Sequence, residues 1–246
     1  ANELYKTISK DENWTSGTAG TTEEFKDKEG RVVLKRVWET NIKSLSTYYV
    51  YDDLGNLRYV MPPAVNENGQ ATINSFTDGD ANFNNYIYAY RYDGRRRLIE
   101  KKIPGKGWEF MVYNKLDQVV FTQDANQRAK SPQQWLYTKY DGLGRVIMSG
   151  IYADNQHTNQ GTNNYRQAFQ NIANNYQVLW ETRDNNTATG YSENAIPNGH
   201  IVNYLAISYY DDYTFPGNPF TGSHTAQSNM TRGLPTGTKV YQTDGT

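Results

Sequence analysis

The sequence predicts an all-β fold of stacked antiparallel hairpins with one short helical insertion, and three observations predict it. Tyrosine dominates the aromatic residues, 21 against 8 phenylalanines and 5 tryptophans. Its apolar ring and polar tip suit strands that bury one face and wet one end. Short runs alternate between two faces at period two, as in YIYAYRYD at 86–93. Between such runs one turn recurs, as VYDDLGNL at 50–57, RYDGRRRL at 91–98, VYNKLDQV at 112–119 and KYDGLGRV at 139–146.

Taken in order, EEFK turns at DKEGR into VVLKRVW, and STYYVY turns at DDLGN into LRYVM. In YIYAYRYD, Tyr86, Tyr88, Tyr90 and Tyr92 share one face, and Ile87, Ala89 and Arg91 the other. That strand turns at DGRR into RLIEKKI. WEFMVY turns at NKLDQ into VVFTQ, and WLYTKY at DGLGR into VIMSGIY. The turns fall near 27–31, 52–56, 93–97, 114–118 and 141–145, opened by Asp27, Asp52, Asp93, Asn114 and Asp141 at spacings of 25, 41, 21 and 27 residues. A unit two strands long with room for insertions gives such a rhythm.

The turn has a local cause. Asp or Asn at its first position accepts bonds from amides further along, and the two following residues take the type I conformation. The fourth position is left-handed, where Gly30, Gly55 and Gly144 carry no Cβ penalty. Asp117 is tolerated there. Arg96 costs about 1 kcal/mol unless the turn shifts onto Gly94.

The rhythm breaks over about 153–176, where NNYRQAFQNIANNY (163–176) places Tyr165, Ala168, Phe169 and Ile172 on one helical face. A short helix is expected there, capped by Asn163 or Asn164. Further strands over 176–242 are expected at YQVLWET, HIVNYLAISYYD and TGTKVYQT, with a long Pro- and Gly-bearing loop over 211–232.

The chain has 246 residues, 25 basic and 26 acidic, so no global field points to nucleic acid. It has no cysteine, which excludes disulfides and thiol chemistry. No run reaches the length of a membrane helix. The N-terminal stretch lacks a signal peptide's layout, and the strand-like ending favours a piece of a longer polypeptide.

The turn motif and its joining strings, YVMPPAV, YRYDGRRRLIEKKIPG, VYNKLDQVVFTQDANQRA, TKYDGLGRVIMSGIY and YYDDYTF, resemble bacterial RHS/YD-repeat proteins, whose core is Tyr-Asp-x-x-Gly-Arg. The likeness runs from about 25 to 242 and points to a long-format subgroup found on bacterial surface proteins. It implies hairpins stacked into a spiralling sheet that forms a hollow shell, in an exported protein carrying a toxin or variable domain. It also implies a cell-surface or outer-membrane location and type IX export. The family's Asp-Pro cleavage signature is absent from this chain, so self-cleavage is not carried over.

Each chemical motif has a plainer alternative. Asp141 and Arg145 suit a base and an anion clamp, but recurrence with changing side chains favours a structural turn. The pairs Asp52–Asp53 and Asp211–Asp212 are adjacent, and neighbours on a strand face opposite ways, which does not suit a glycosidase pair. Asp78, Asp80, Asn82 and Asn84 resemble the opening of a calcium loop that lacks its glycine and closing glutamate. RRRLIEKK is interrupted by Glu100, which weakens a nucleic-acid reading. His157, His200 and His224 lack metal-ligand spacing. Tryptophans and tyrosines suit either a sugar platform or cross-strand packing.

The expectation is therefore a structural, non-enzymatic wall segment without cofactor, enclosing, carrying or displaying another domain. Its partners would be other repeats of the same polypeptide and a secretion-system or outer-membrane protein. The alternatives are a glycan-binding adhesin module that uses exposed tyrosines, and a polysaccharide-active enzyme. Gly144→Val is expected to destabilise clearly and Lys139→Ala little.

Overall fold

A computed structural model describes residues 4–67, 75–155, 162–219 and 230–242. Among these residues, thirteen strands form one antiparallel sheet whose strand order follows chain order. The chain divides into two compact units, Ala1–Trp108 and Glu109–Thr246.

The first unit carries β1 (Tyr5–Lys10), β2 (Thr21–Lys26), β3 (Val32–Trp38), β4 (Ser44–Tyr51), β5 (Leu57–Met61), helices α1 (Ala64–Glu67) and α2 (Ala81–Tyr86), then β6 (Tyr88–Tyr92) and β7 (Leu98–Ile103). β1, which the period-two pattern does not flag, is an edge strand exposed along its whole length. Tyr86 closes α2 instead of opening a strand, and only from Tyr88 does the alternation act as a sheet. The buried side is that of Ile87 and Ala89. These two join Val65 and Phe83 in a core flanked by Tyr59, Met61, Phe76 and Trp108.

Lys102, from the basic run, lies inside this core. Its ammonium donates to the carbonyls of Phe83, Asn84 and Ile87 at 2.7, 3.0 and 3.0 Å, capping the C-terminal end of α2. Burial holds its pKa below the ordinary lysine value.

The second unit carries all of β8 (Gly107–Tyr113) beyond its first two residues, β9 (Val119–Gln123), α3 (Ala125–Arg128), β10 (Gln133–Tyr140), β11 (Val146–Asp154), α4 (Thr162–Asn175), β12 (Ile201–Tyr210) and β13 (Pro235–Val240). α4 starts at Thr162, so Asn163 and Asn164 lie in its first turn and not at the cap. It buries Tyr165, Phe169 and Ala173 while Ile172 stays exposed. Phe169 stacks on Trp135 at 4.4 Å and meets Phe121 edge-on at 5.2 Å. Gln170 grips β8 by donating to the Tyr113 carbonyl at 2.7 Å and accepting its amide at 3.1 Å.

The strand expected at YQVLWET is absent. Residues 176–200 instead form an irregular strap, tied by an isolated bridge between Asp141 and Glu181 and a second between Arg183 and Tyr191. Glu181 explains why. Its carboxylate accepts Lys139 Nζ at 2.7 Å, with both side chains fully buried. It also accepts the Ser192 hydroxyl at 2.7 Å and the amides of Asn194 and Ala195 at 2.7 and 2.9 Å. A charge so fully solvated by donors fixes the strap more strongly than its period-two alternation does.

Candidate functional site

The recurring turns share one geometry. Asp27, Asp52, Asp93, Asn114 and Asp141 each accept, through one side-chain oxygen, the amides two and four residues on. The left-handed residue is Gly30, Gly55, Arg96, Asp117 and Gly144 in turn, at φ between 61° and 81°. Arg96 takes this strained angle itself, and the turn does not move onto Gly94. Each hairpin is bulged at the same place, just before the turn.

The turn's first and fifth residues also pair through their side chains. Arg31, Arg97 and Arg145 donate Nε to Asp27, Asp93 and Asp141 at 2.7, 2.7 and 2.6 Å. Asn56 Nδ2 replaces arginine against Asp52 at 3.0 Å, and Asn114 Nδ2 donates to Gln118 at 2.8 Å. The departures from arginine therefore keep the contact and change only its chemistry. The Asn56 bond and the turn amides hold the Asp52 carboxyl below its ordinary pKa.

The tyrosine before the acid joins one repeat to the previous one. Tyr51 donates its hydroxyl to the Val32 carbonyl at 3.0 Å, Tyr140 to Val119 at 2.8 Å and Tyr210 to Val146 at 3.1 Å. Each acceptor lies five residues beyond the residue opening the previous turn. In two cases the previous arginine sits over the same ring, Arg31 at 5.1 Å from Tyr51 and Arg145 at 4.3 Å from Tyr210. Tyrosine, acid and arginine thus serve three positions of one joint.

Asp211 opens a sixth turn that the repeat pattern alone leaves inside a loop. The β12–β13 hairpin carries the same bulge, at Tyr209/Tyr210. The Asp211 amide donates to the Leu234 carbonyl at 3.1 Å, and its carboxylate accepts the Gly233 amide at 2.6 Å. The turn has been opened by an insertion, and its signal is the Tyr210–Asp211 dipeptide at the end of a strand. Its inserted loop returns Phe215 to stack on Tyr209 at 4.3 Å, and Tyr209 stacks on Tyr191 of the strap at 5.8 Å.

Beside the Asp141 turn lies an open cleft of about 420 Å³, lined by Gly142, Leu143, Arg145, Trp180, Tyr210 and Asp211 among others. Arg145 bridges two turns there, reaching Asp211 through both terminal nitrogens at 3.1 and 2.7 Å. Hydrogen bonds from Arg145 and from the Gly233 amide pull the Asp211 carboxyl down to about 2. The same carboxylates push the Arg145 guanidinium up. Asp211 is therefore ionised at neutral pH and holds no proton to give as a general acid. Asp212, its neighbour, accepts the Thr214 amide at 2.8 Å. A second, wider notch of about 580 Å³ lies in the first unit between the Asp27 and Asp52 turns, beside Tyr51 and Leu54.

The other candidate residues are dispersed. Asp78 pairs with Arg91, and Asp80 accepts the Thr77 amide at 2.7 Å. Asn82 and Asn84 lie on α2. No group of three or more acidic, histidine or cysteine side chains is placed to hold a metal among the described residues. His200 lies edge-on to Tyr152 at 6.0 Å, while His157 and His224 fall outside the described residues. No described helix is long and apolar enough to cross a membrane.

No family model matches the chain, and no curated protein matches it. Among solved structures it is similar to chains of Tc toxin assemblies. Against the TcdB2-TccC3-Cdc42 structure the TM-score is 0.41 at 15% identity, covering 55% of this chain and 6% of that one. Against TcdB2-TccC3-TEV it is 0.41 at 15% identity, covering 78% and 9%. Against the Photorhabdus luminescens Tc holotoxin pore it is 0.40 at 15% identity, covering 83% and 9%. This chain spans less than a tenth of the length of each.

Proposed function

We propose that this chain is a wall segment of a larger exported polypeptide: a sheet of stacked hairpins that encloses, carries or displays another part of the same protein. The observation that carries the reading is the joint between repeats. A motif whose tyrosine, acid and arginine are all committed to holding one hairpin on the next has its chemistry spent on architecture. The open edge at β1 fits further repeats on the same sheet. In this reading the chain is not an enzyme, and its partners are neighbouring repeats, with an export or outer-membrane protein engaging the parent at the cell surface.

Limited proteolysis of the parent polypeptide tests it. The part outside the repeats should survive protease while the wall is intact and be cleaved once Gly144→Val weakens the wall. Equal cleavage in both would contradict enclosure.

A further inference from the structure

We propose that the cleft beside the Asp141 turn is a binding site for an uncharged pyranose oligosaccharide, with Trp180 as its stacking floor. Trp180 is 45% exposed although it adjoins a buried, multiply bonded residue. Its neighbour Glu181 is the fully buried anchor of the strap. On either side of the buried Glu181, Trp180 and Thr182 are exposed. The indole is thus presented on a fixed backbone, as a preorganised stacking surface requires. Gly142 lies against the pyrrole side of the indole, where an added Cβ would stand 3.4 Å from it.

The polar groups define the ligand class. The Trp180 indole N–H and the Thr182 hydroxyl bond to no other described residue, and both line the cleft. Arg145 is neutralised by Asp141 and Asp211, and Arg183, the other arginine lining the cleft, is engaged by Asp212 at 3.5 Å and the Thr214 carbonyl at 3.1 Å, so neither offers a free positive charge to a phosphate or nucleotide. Asp141 and Asp211 direct their carboxylate oxygens to Arg145 and to turn amides. A flat apolar floor with the uncommitted indole N–H and Thr182 hydroxyl at its rim matches a sugar ring, whose C–H face stacks while its hydroxyls reach the rim. This departs from the tyrosine platform expected from composition: the aromatic offered to solvent here is a tryptophan.

Isothermal titration of the intact chain with cellohexaose, chitohexaose, laminarihexaose and mannohexaose tests the proposal. At least one should bind saturably. Trp180→Ala should weaken that binding by about tenfold or more, and Thr182→Val by about threefold, with melting temperatures unchanged. Trp180→Phe, which keeps a stacking ring and the fold, should retain most of the affinity. Failure of all four sugars to bind, or equal binding by Trp180→Ala, would overturn it. Either result leaves the wall reading intact, because that rests on strands and joints away from the indole.

Discussion

At Asp141 one carboxylate ties a turn and orients an arginine together. Oδ1 accepts the Leu143 and Arg145 amides at 2.9 and 3.0 Å, while Oδ2 takes Arg145 Nε at 2.6 Å. Gly144 completes the turn at φ 77°, so Gly144→Val should cost about 1–2 kcal/mol or more in urea unfolding. Lys139, set against it as a mild change, is the reverse of mild. Lys139→Ala strands the buried Glu181 carboxylate and should cost about 3–5 kcal/mol, with the Lys139→Met, Glu181→Gln double variant recovering part of it. A loss under 1 kcal/mol for Lys139→Ala would contradict the buried ion pair. Asp211 supplies a pH test. Its folded pKa, about 2, lies below the ordinary 3.8, so its contribution is present above 3.8 and fades as pH falls toward 2. Arg145→Gln should move the Asp211 carboxyl titration, followed by carbon NMR, upward toward 3.8.

Among the elements, hairpins were legible and insertions were not. A turn is set by residues within five positions, so Asp27, Asp52, Asp93, Asn114 and Asp141 could be placed from sequence, and the strands beside them followed. Arg96 obeys the same geometry because the bulge and the amide bonds outweigh the cost of one residue at positive φ. The strap failed for the opposite reason: YQVLWET alternates like a strand, but its partner is Lys139, 42 residues away, and no local pattern encodes a buried ion pair. The burial of Lys102 is likewise not encoded locally, since a lysine in a basic run gives no sign that three carbonyls await it. Nothing local in the sequence marks Trp180 as an exposed aromatic. The Tyr–Asp joint belongs to this scale too. Tyr140→Phe and Tyr210→Phe should each cost about 1 kcal/mol in urea unfolding, the loss of one hydrogen bond to a carbonyl.

For the molecule as a whole, the proposed wall role makes the Tyr–Asp motif a joint between neighbouring hairpins. In a stacked array, stability is shared between each repeat and its neighbours, so damage at a joint must spread across it. Hydrogen–deuterium exchange on the intact chain carrying Tyr140→Phe measures this most directly. Faster exchange is expected both in β10–β11, which carries the tyrosine, and in β8–β9, which carries the Val119 acceptor. Exchange that quickens in β10–β11 alone, with β8–β9 unchanged, would contradict it.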